Sequence, residues 1–292
     1  MSDMRDRFQQ IGEKLTELIS RLDGTAGVVV KLLETGEEWR HLPDRSFSAA
    51  SLIKLPILWE LYRQAGTGEI DLDKTVPVLR EHKVGGTGII KELHDGLMLT
   101  VRDLATLMVI VSDNTATNMI IDMLGFDAIN RAIAELGMKG TSLQRKMMDF
   151  EAKKAGKDNF TTAGDVAAIL EKFARGEGLR PELAREPVDI MLRQQFNNKL
   201  SRGLLLCPVC RRKVGDYPQC PWCYTDLKKN PPVGAKLAHK TGELAGTEHD
   251  AGILFLDKKT VVIVAMTTDL KSNADGVKFI GEVSGVVVGA LT

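Results

Sequence analysis

Phe47-Ser48-Ala49-Ala50-Ser51-Leu52-Ile53-Lys54-Leu55-Pro56 is the stretch around which the chain is organised, where an extended segment turns into a long apolar helix. Ser51 stands where that helix would begin, and Lys54 follows three residues later. That separation puts both side chains on one helical face. A helix start also offers unpaired N–H groups and the positive end of a dipole. A serine there has an amine within reach to take its proton and backbone donors for a developing oxyanion. The plainer alternative is an N-cap serine followed by a surface lysine.

Upstream, Phe8, Ile11, Leu15, Leu18, Ile19 and Leu22 recur at helical spacing, so a helix is expected from about Ser2 to Leu22. Gly27-Val28-Val29-Val30-Lys31-Leu32-Leu33 reads as a buried strand, and Glu34-Thr35-Gly36 as a hairpin turn into a second strand. Downstream, Gly85-Gly86-Thr87-Gly88 marks a loop. Thr100-Val101-Arg102-Asp103 opens a helix with an N-cap and an acidic first turn. That apolar helix stops at Ser112-Asp113-Asn114, three polar residues that need partners if buried. Helices are expected at about Thr115–Leu124, Phe126–Leu136, Thr162–Ala174 and Pro187–Leu200. Thr141 to Phe160 lacks periodicity, and a long loop inside a compact domain is usually functional.

Strands are expected near Lys236–Lys240, Ala251–Phe255 and Thr260–Thr267, then a last helix from Ala274 to Ala290. Their short turns make the sheet antiparallel, with strands from both chain ends and a helical block inserted between. Lys240-Thr241-Gly242 lies on the first of these strands. By alternation Lys240 and Gly242 share one face, and Thr241 takes the other. His239 points away from Lys240 and reads as structural. His41, His82, His94 and His249 read as solvated loop residues without metal-ligand spacing.

Composition is that of an ordinary globular chain of 292 residues, 43% hydrophobic and 27% charged. Lys plus Arg and Asp plus Glu both number 39, so no global field steers it toward nucleic acid or a membrane. No run is long enough to span a membrane. Met1-Ser2-Asp3-Met4-Arg5-Asp6-Arg7-Phe8 has no apolar signal core, so a cytoplasmic location is expected.

All four cysteines lie in one window: Cys207-Pro208-Val209-Cys210, nine residues, then Cys220-Pro221-Trp222-Cys223. Paired Cys-x2-Cys knuckles point to a tetrahedral thiolate site, structural zinc as in zinc ribbons, with iron or two disulfides as alternatives. With four cysteines the site has no open position for catalysis. Arg211, Arg212, Lys213, Lys228 and Lys229 outnumber the acids there, which suits a nucleic-acid or protein-partner surface or, more commonly, a solvated face.

Ser51…Lys54, Ser112-Asp113-Asn114 and Lys240-Thr241-Gly242, in that order, resemble the motif set of the class A β-lactamase family. The resemblance covers nearly everything except the cysteine window. It implies an α/β (α+β) fold: an antiparallel sheet flanked by N- and C-terminal helices, residues 1–50 and 230–292, and an all-α domain, residues 51–203; the cysteine spacing adds a small zinc-ribbon insertion, residues 204–229, that departs from the family pattern. It implies an acyl-enzyme on Ser51 with Lys54 as proton acceptor and Ser112 as relay. Asn114 would bond the substrate or Lys54, and Lys240 and Thr241 would hold the substrate carboxylate beside Gly242. The N–H groups of Ser51 and Glu243 would form the oxyanion hole. No cofactor is implied for catalysis, and the partner is a small β-lactam or acyl-peptide. The family's loop glutamate, which activates the deacylating water, follows an arginine; here Arg145 is followed by Lys146 and Met147. Asp149 and Glu151 are the nearby carboxylates, and Glu151 matches a structural Glu-Ala pair further along. Slow deacylation is therefore expected. A D-alanyl peptidase or esterase, or a non-hydrolysing penicillin-binding protein, are the rival readings.

Overall fold

The computed structural model describes residues 2–204, 218–226 and 235–292. Cys207 and Cys210 lie outside the described residues. The first helix, α1 (Ser2–Ser20), leads into β1 (Thr25–Leu32) and β2 (Glu38–His41). Three strands close the chain, β7 (Ala235–Leu244), β8 (Thr247–Leu256) and β9 (Lys259–Thr268), followed by α9 (Asn273–Leu291). These five strands form one antiparallel sheet in the order β2-β1-β9-β8-β7.

Why the sheet sits between helices is written in the alternation of β1. Val28, Val30 and Leu32 pack with Phe8, Ile11 and Leu15 of α1 and with Phe279, Ile280 and Val283 of α9. Val29 faces the other way, into a second cluster with Val262, Val264 and Met266. Both faces are dry, so the central strands read as unbroken apolar runs instead of alternating ones.

The chain between β2 and β7 supplies the second face. Short strands β3 (Phe47–Ser48) and β6 (Phe160–Thr161) pair with each other, as do β4 (Thr75–Val78) and β5 (Leu97–Thr100). The helices are α2 (Lys54–Thr67), α3 (Val101–Ile110), α4 (Asn114–Leu124), α5 (Phe126–Glu135), α6 (Phe150–Lys154), α7 (Ala163–Arg175) and α8 (Glu186–Met191). α2 is buried along most of its length, including Leu55, Ile57, Leu58, Trp59, Leu61 and Tyr62. Thr100 caps α3 as expected, with its hydroxyl accepting from Asp103 N–H at 3.0 Å and its own N–H donating to the Asp103 carboxylate at 3.0 Å.

Three expectations fail. His41 lies on β2, its ring stacked on that of Trp39, and not in a loop. The helix read over Pro187–Leu200 ends at Met191. Gln194 ends it: its side-chain Oε1 accepts from the N–H groups of Gln195 (3.0 Å) and Phe196 (3.1 Å), and its Nε2 donates to Val109 C=O at 3.0 Å. His249 is no solvated loop residue. It is fully buried on β8, its ring nitrogens against the carbonyls of Ser48 (2.9 Å) and Glu248 (2.8 Å), and burial lowers its pKa to about 4.

Candidate active site

Ser51 lies in a 3-10 turn, Ala50–Ile53, that runs directly into α2. Its hydroxyl caps nothing; it pairs with Ser112 Oγ at 2.8 Å. That disposes of the N-cap alternative. Ala50, just before it, has φ of 45°, a left-handed backbone that alanine rarely adopts. Ala49 N–H donates to Asn159 C=O at 2.7 Å, which ties this turn to the long loop.

Lys54, one turn on, is completely buried. Its Nζ lies 2.7 Å from Ser112 C=O, 2.9 Å from Ser112 Oγ and 3.0 Å from Asn114 Oδ1. Burial, and secondarily the charge of Lys240, hold its pKa well below the usual lysine range. Ser51, Ser112 and Lys54 thus form one hydrogen-bonded chain, in which the hydroxyl of Ser112 bridges nucleophile and amine. With the amine neutral, a proton leaving Ser51 Oγ can pass through Ser112 Oγ to Lys54 Nζ.

Ser112 sits between α3 and α4 at φ of 52°. Neighbours over-determine that conformation. Asp113 caps α4 through Ala116 N–H at 3.0 Å and accepts from Ile89 (2.7 Å) and Ile90 (2.9 Å) N–H groups. Thr87 Oγ1 donates to Ser112 C=O at 2.9 Å, and Asn114 Nδ2 to Gly85 C=O at 3.1 Å. Gly88 must be glycine: a Cβ there would lie 2.3 Å from Asp113 Oδ2.

β7 forms the opposite wall. Lys240 is fully buried, its Nζ donating to Thr241 C=O at 2.9 Å, and burial with the charge of Lys199 lowers its pKa to about 7. Gly242 lets β7 approach the nucleophile turn, since a Cβ there would sit 3.3 Å from that of Ala50. Ser51, Ser112, Thr241, Gly242 and Glu243 line one cavity of about 570 Å³. Sequence reasoning missed Lys199 in the same wall. This buried lysine pairs with Glu248 and donates to Gly242 C=O at 3.0 Å. Behind it, His239 Nδ1 lies 2.9 Å from Asp250 Oδ1, as its structural reading anticipated.

The long loop closes on the far side. Arg145 and Asp158 pair at 2.7 Å. Asn118, also missed, grips Met147 from α4: its Oδ1 accepts from Met147 N–H at 2.8 Å and its Nδ2 donates to Met147 C=O at 3.1 Å. Its signal was present in the sequence, one helical turn after Asn114 on the same face. Met147 is 8% exposed and lines the cleft near Ser51 and Asn114. Lys146 turns outward to Asp122, at 2.5 Å. Asp149 caps α6 through Ala152 N–H at 2.9 Å, and Glu151 is exposed and paired with Lys154. Neither carboxylate is among the cleft-lining residues. Arg145, Met147, Met148 and Asp158 of this loop line the cleft beside Ser51, and the Asp158 carboxylate is taken up by Arg145.

Of the cysteine window, residues 218–226 are described. Gln219 and Asp226 bridge, Cys220 N–H donates to Thr225 C=O at 2.8 Å, and Tyr224 N–H to Cys220 C=O at 2.9 Å with Tyr224 at φ of 57°. Cys223 Sγ lies 3.0 Å from Thr225 Oγ1. This is a tight hairpin around Cys220-Pro-Trp-Cys223. Among the described residues no cluster of three or more His, Cys, Asp or Glu side chains is placed to hold a metal ion.

The sequence model of the Beta-lactamase enzyme family matches residues 10–291. β-Lactamase PSE-4 from Pseudomonas aeruginosa is 26% identical over 201 residues, 68% of this chain and 69% of that protein. The β-lactamase structure from Sphaerobacter thermophilus superposes with a TM-score of 0.81 at 29% identity, covering 95% of this chain and 96% of that one. A leucine-to-glutamate mutant of PBP-A, solved as an acyl-enzyme complex with penicillin-G, superposes at 0.80 with 26% identity, over 97% and 96% of the two chains.

Proposed function

This chain belongs to the Beta-lactamase enzyme family and is a serine hydrolase of the β-lactamase type; on that premise we propose that Ser51 is the acylated nucleophile and that the acyl-enzyme is long-lived. The observation that carries the reading is the chain Ser51 Oγ–Ser112 Oγ–Lys54 Nζ, with spacings of 2.8 and 2.9 Å. In acylation Ser51 Oγ attacks the β-lactam carbonyl, and its proton moves through Ser112 to the lysine amine. The N–H groups of Ser51 and Glu243 stabilise the oxyanion. Ser112 then returns a proton to the departing ring nitrogen. Lys240 and Thr241 hold the substrate carboxylate, and Asn114 orients Lys54 and the acyl side chain.

Deacylation needs a base that activates water on the face of the ester toward the long loop. Met147 supports slow release there, because a thioether takes no proton. A penicillin adduct on Ser51 should form readily and persist. Intact-mass measurement after mixing with penicillin tests this: one adduct per wild-type chain, and none for Ser51→Ala. An adduct that maps to another serine, or full labelling of Ser51→Ala, refutes the assignment. The acyl-peptide reading, a D-alanyl peptidase or esterase, shares this acylation machinery and would give the same adduct.

The four cysteines are proposed as a structural zinc site, with Cys207 and Cys210 joining Cys220 and Cys223. The tight hairpin at Cys220–Cys223 supports this, because such a turn aims two thiolates at one centre. Bound zinc would offset the thiolate charge and order the segment, and its basic residues would offer a surface to a protein partner.

A further inference from the structure

Glu243 follows Thr241 by two residues on β7, so the two side chains share a face at the open edge of the sheet. It lines the cleft on both sides of Ser51, with Thr241 and Lys199 on one and Asn114 and Met147 on the other. Its side chain is exposed, and among the described residues no cation pairs with it. Directly across the ladder stands a second carboxylate, Glu248. Like charges facing each other on neighbouring strands oppose pairing. Glu248 is compensated: Lys199 pairs with it, and Asn273 Nδ2 donates to it at 2.7 Å. The remaining hydrogen bonds of Lys199 go to the carbonyls of Gly242 (3.0 Å) and His249 (3.4 Å). Lys240 lies on the other face of the strand and donates to Thr241 C=O. Among the described residues the buried cations are therefore engaged, Arg145 and Lys153 of the same cleft wall pair with Asp158, and Glu243 is left as an exposed carboxylate without an ion-pair partner at the rim, beside the anchor for the substrate carboxylate.

We propose that Glu243 is a specificity-determining residue: it selects substrates bearing a cationic group, an ammonium or a pyridinium, next to the carboxylate held at Thr241, and disfavours a neutral or second anionic group there. The inference rests on the reading of the cleft given above. It deepens that reading by naming the charge of the substrate region beyond the anchor.

Two cephalosporins with the same acyl side chain test it, one carrying a pyridinium at C3 and the other a neutral acetoxy group. C3 adjoins the carbon that bears the carboxylate. Acylation rate constants are measured for wild type, Glu243→Gln and Glu243→Lys, and the ratio between the two compounds is compared across the three proteins, which cancels their intrinsic reactivity. A unit-charge contact near the surface changes the ratio by about fivefold. The pyridinium preference should fall by about that factor in Glu243→Gln and further in Glu243→Lys. In wild type it should weaken at ionic strengths of about 0.5 M, because an exposed charge is screened. The same ratio in all three proteins overturns the role of Glu243 while leaving the acylation reading intact. Failure of both compounds to acylate wild type overturns the reading of the cleft, and this inference with it.

Discussion

Replacing Met147 with glutamate should convert a persistent acyl-enzyme into one that turns over. The structure selects this position over its neighbour. Asn118 fixes the backbone of Met147 through two hydrogen bonds of 2.8 and 3.1 Å, whereas Lys146 points out to Asp122. A glutamate has nearly the reach of methionine, so its carboxylate would lie in the cleft wall shared with Ser51 and Asn114. A positioned general base contributes on the order of 10²- to 10⁴-fold, and that is the expected gain in deacylation rate. The cost falls on stability: Met147 is 8% exposed, and losing its apolar burial removes about 2–3 kcal/mol. The assay removes excess penicillin and follows the adduct by intact mass. Lys146→Glu serves as the control, and its adduct should decay at the wild-type rate. A wild-type adduct that already decays within seconds, or equal decay in Met147→Glu and wild type, would refute the reasoning.

Three further outcomes are expected. Lys240, with its pKa near 7, is charged below that pH and neutral above it, so kcat/KM for carboxylate-bearing substrates should fall as pH rises through about 7; Lys240→Arg should remove that alkaline limb, because arginine stays charged. Folding stability should move the opposite way over the same range, since above pH 7 the unfolded chain holds a proton on this lysine that the folded one has shed, and denaturation at pH 6 and 9 checks the sign. Lys199→Met strands Glu248 as a buried unpaired charge and should cost about 3–5 kcal/mol in urea unfolding, most of it recovered in the double variant with Glu248→Gln. Elemental analysis should find one zinc per chain, and chelation should leave acylation of Ser51 unaffected; disulfides among Cys207, Cys210, Cys220 and Cys223 in a non-reducing peptide map would refute the metal site.

The candidate site was legible because its residues lie in local motifs: Ser51 and Lys54 one turn apart, Ser112 and Asn114 at the break between two apolar helices, Lys240 and Thr241 on one strand. The sheet was legible for a similar reason, in the apolar runs around Val28–Leu32 and Val261–Met266. What escaped reading depends on partners distant in sequence. Lys199 acquires its meaning from Glu248 and Gly242, and Asn118 from Met147 in a loop nearly thirty residues away. His249 carried no sign that β8 would bury it against Ser48, and Gln194 none that its side chain would replace a helical turn. Tertiary hydrogen bonds overrode local periodicity in both cases. The long loop could be identified by length, but which of its residues line the cleft beside Ser51, and that Asn118 holds the backbone of Met147 among them, required the fold.

Among the described residues, the strand that carries Lys240 is the outermost of five and pairs with β8 alone. An interior strand is bounded on both sides, so lengthening the connection that feeds it disturbs two ladders. At the margin the chain can wander outward before β7 with no pairing displaced. The entropic penalty of a longer excursion grows only logarithmically, by about 0.6 kcal/mol per doubling. This architecture therefore admits added segments immediately ahead of the strand that carries Lys240 and Thr241, and evolution can append new chemistry there without rebuilding the scaffold.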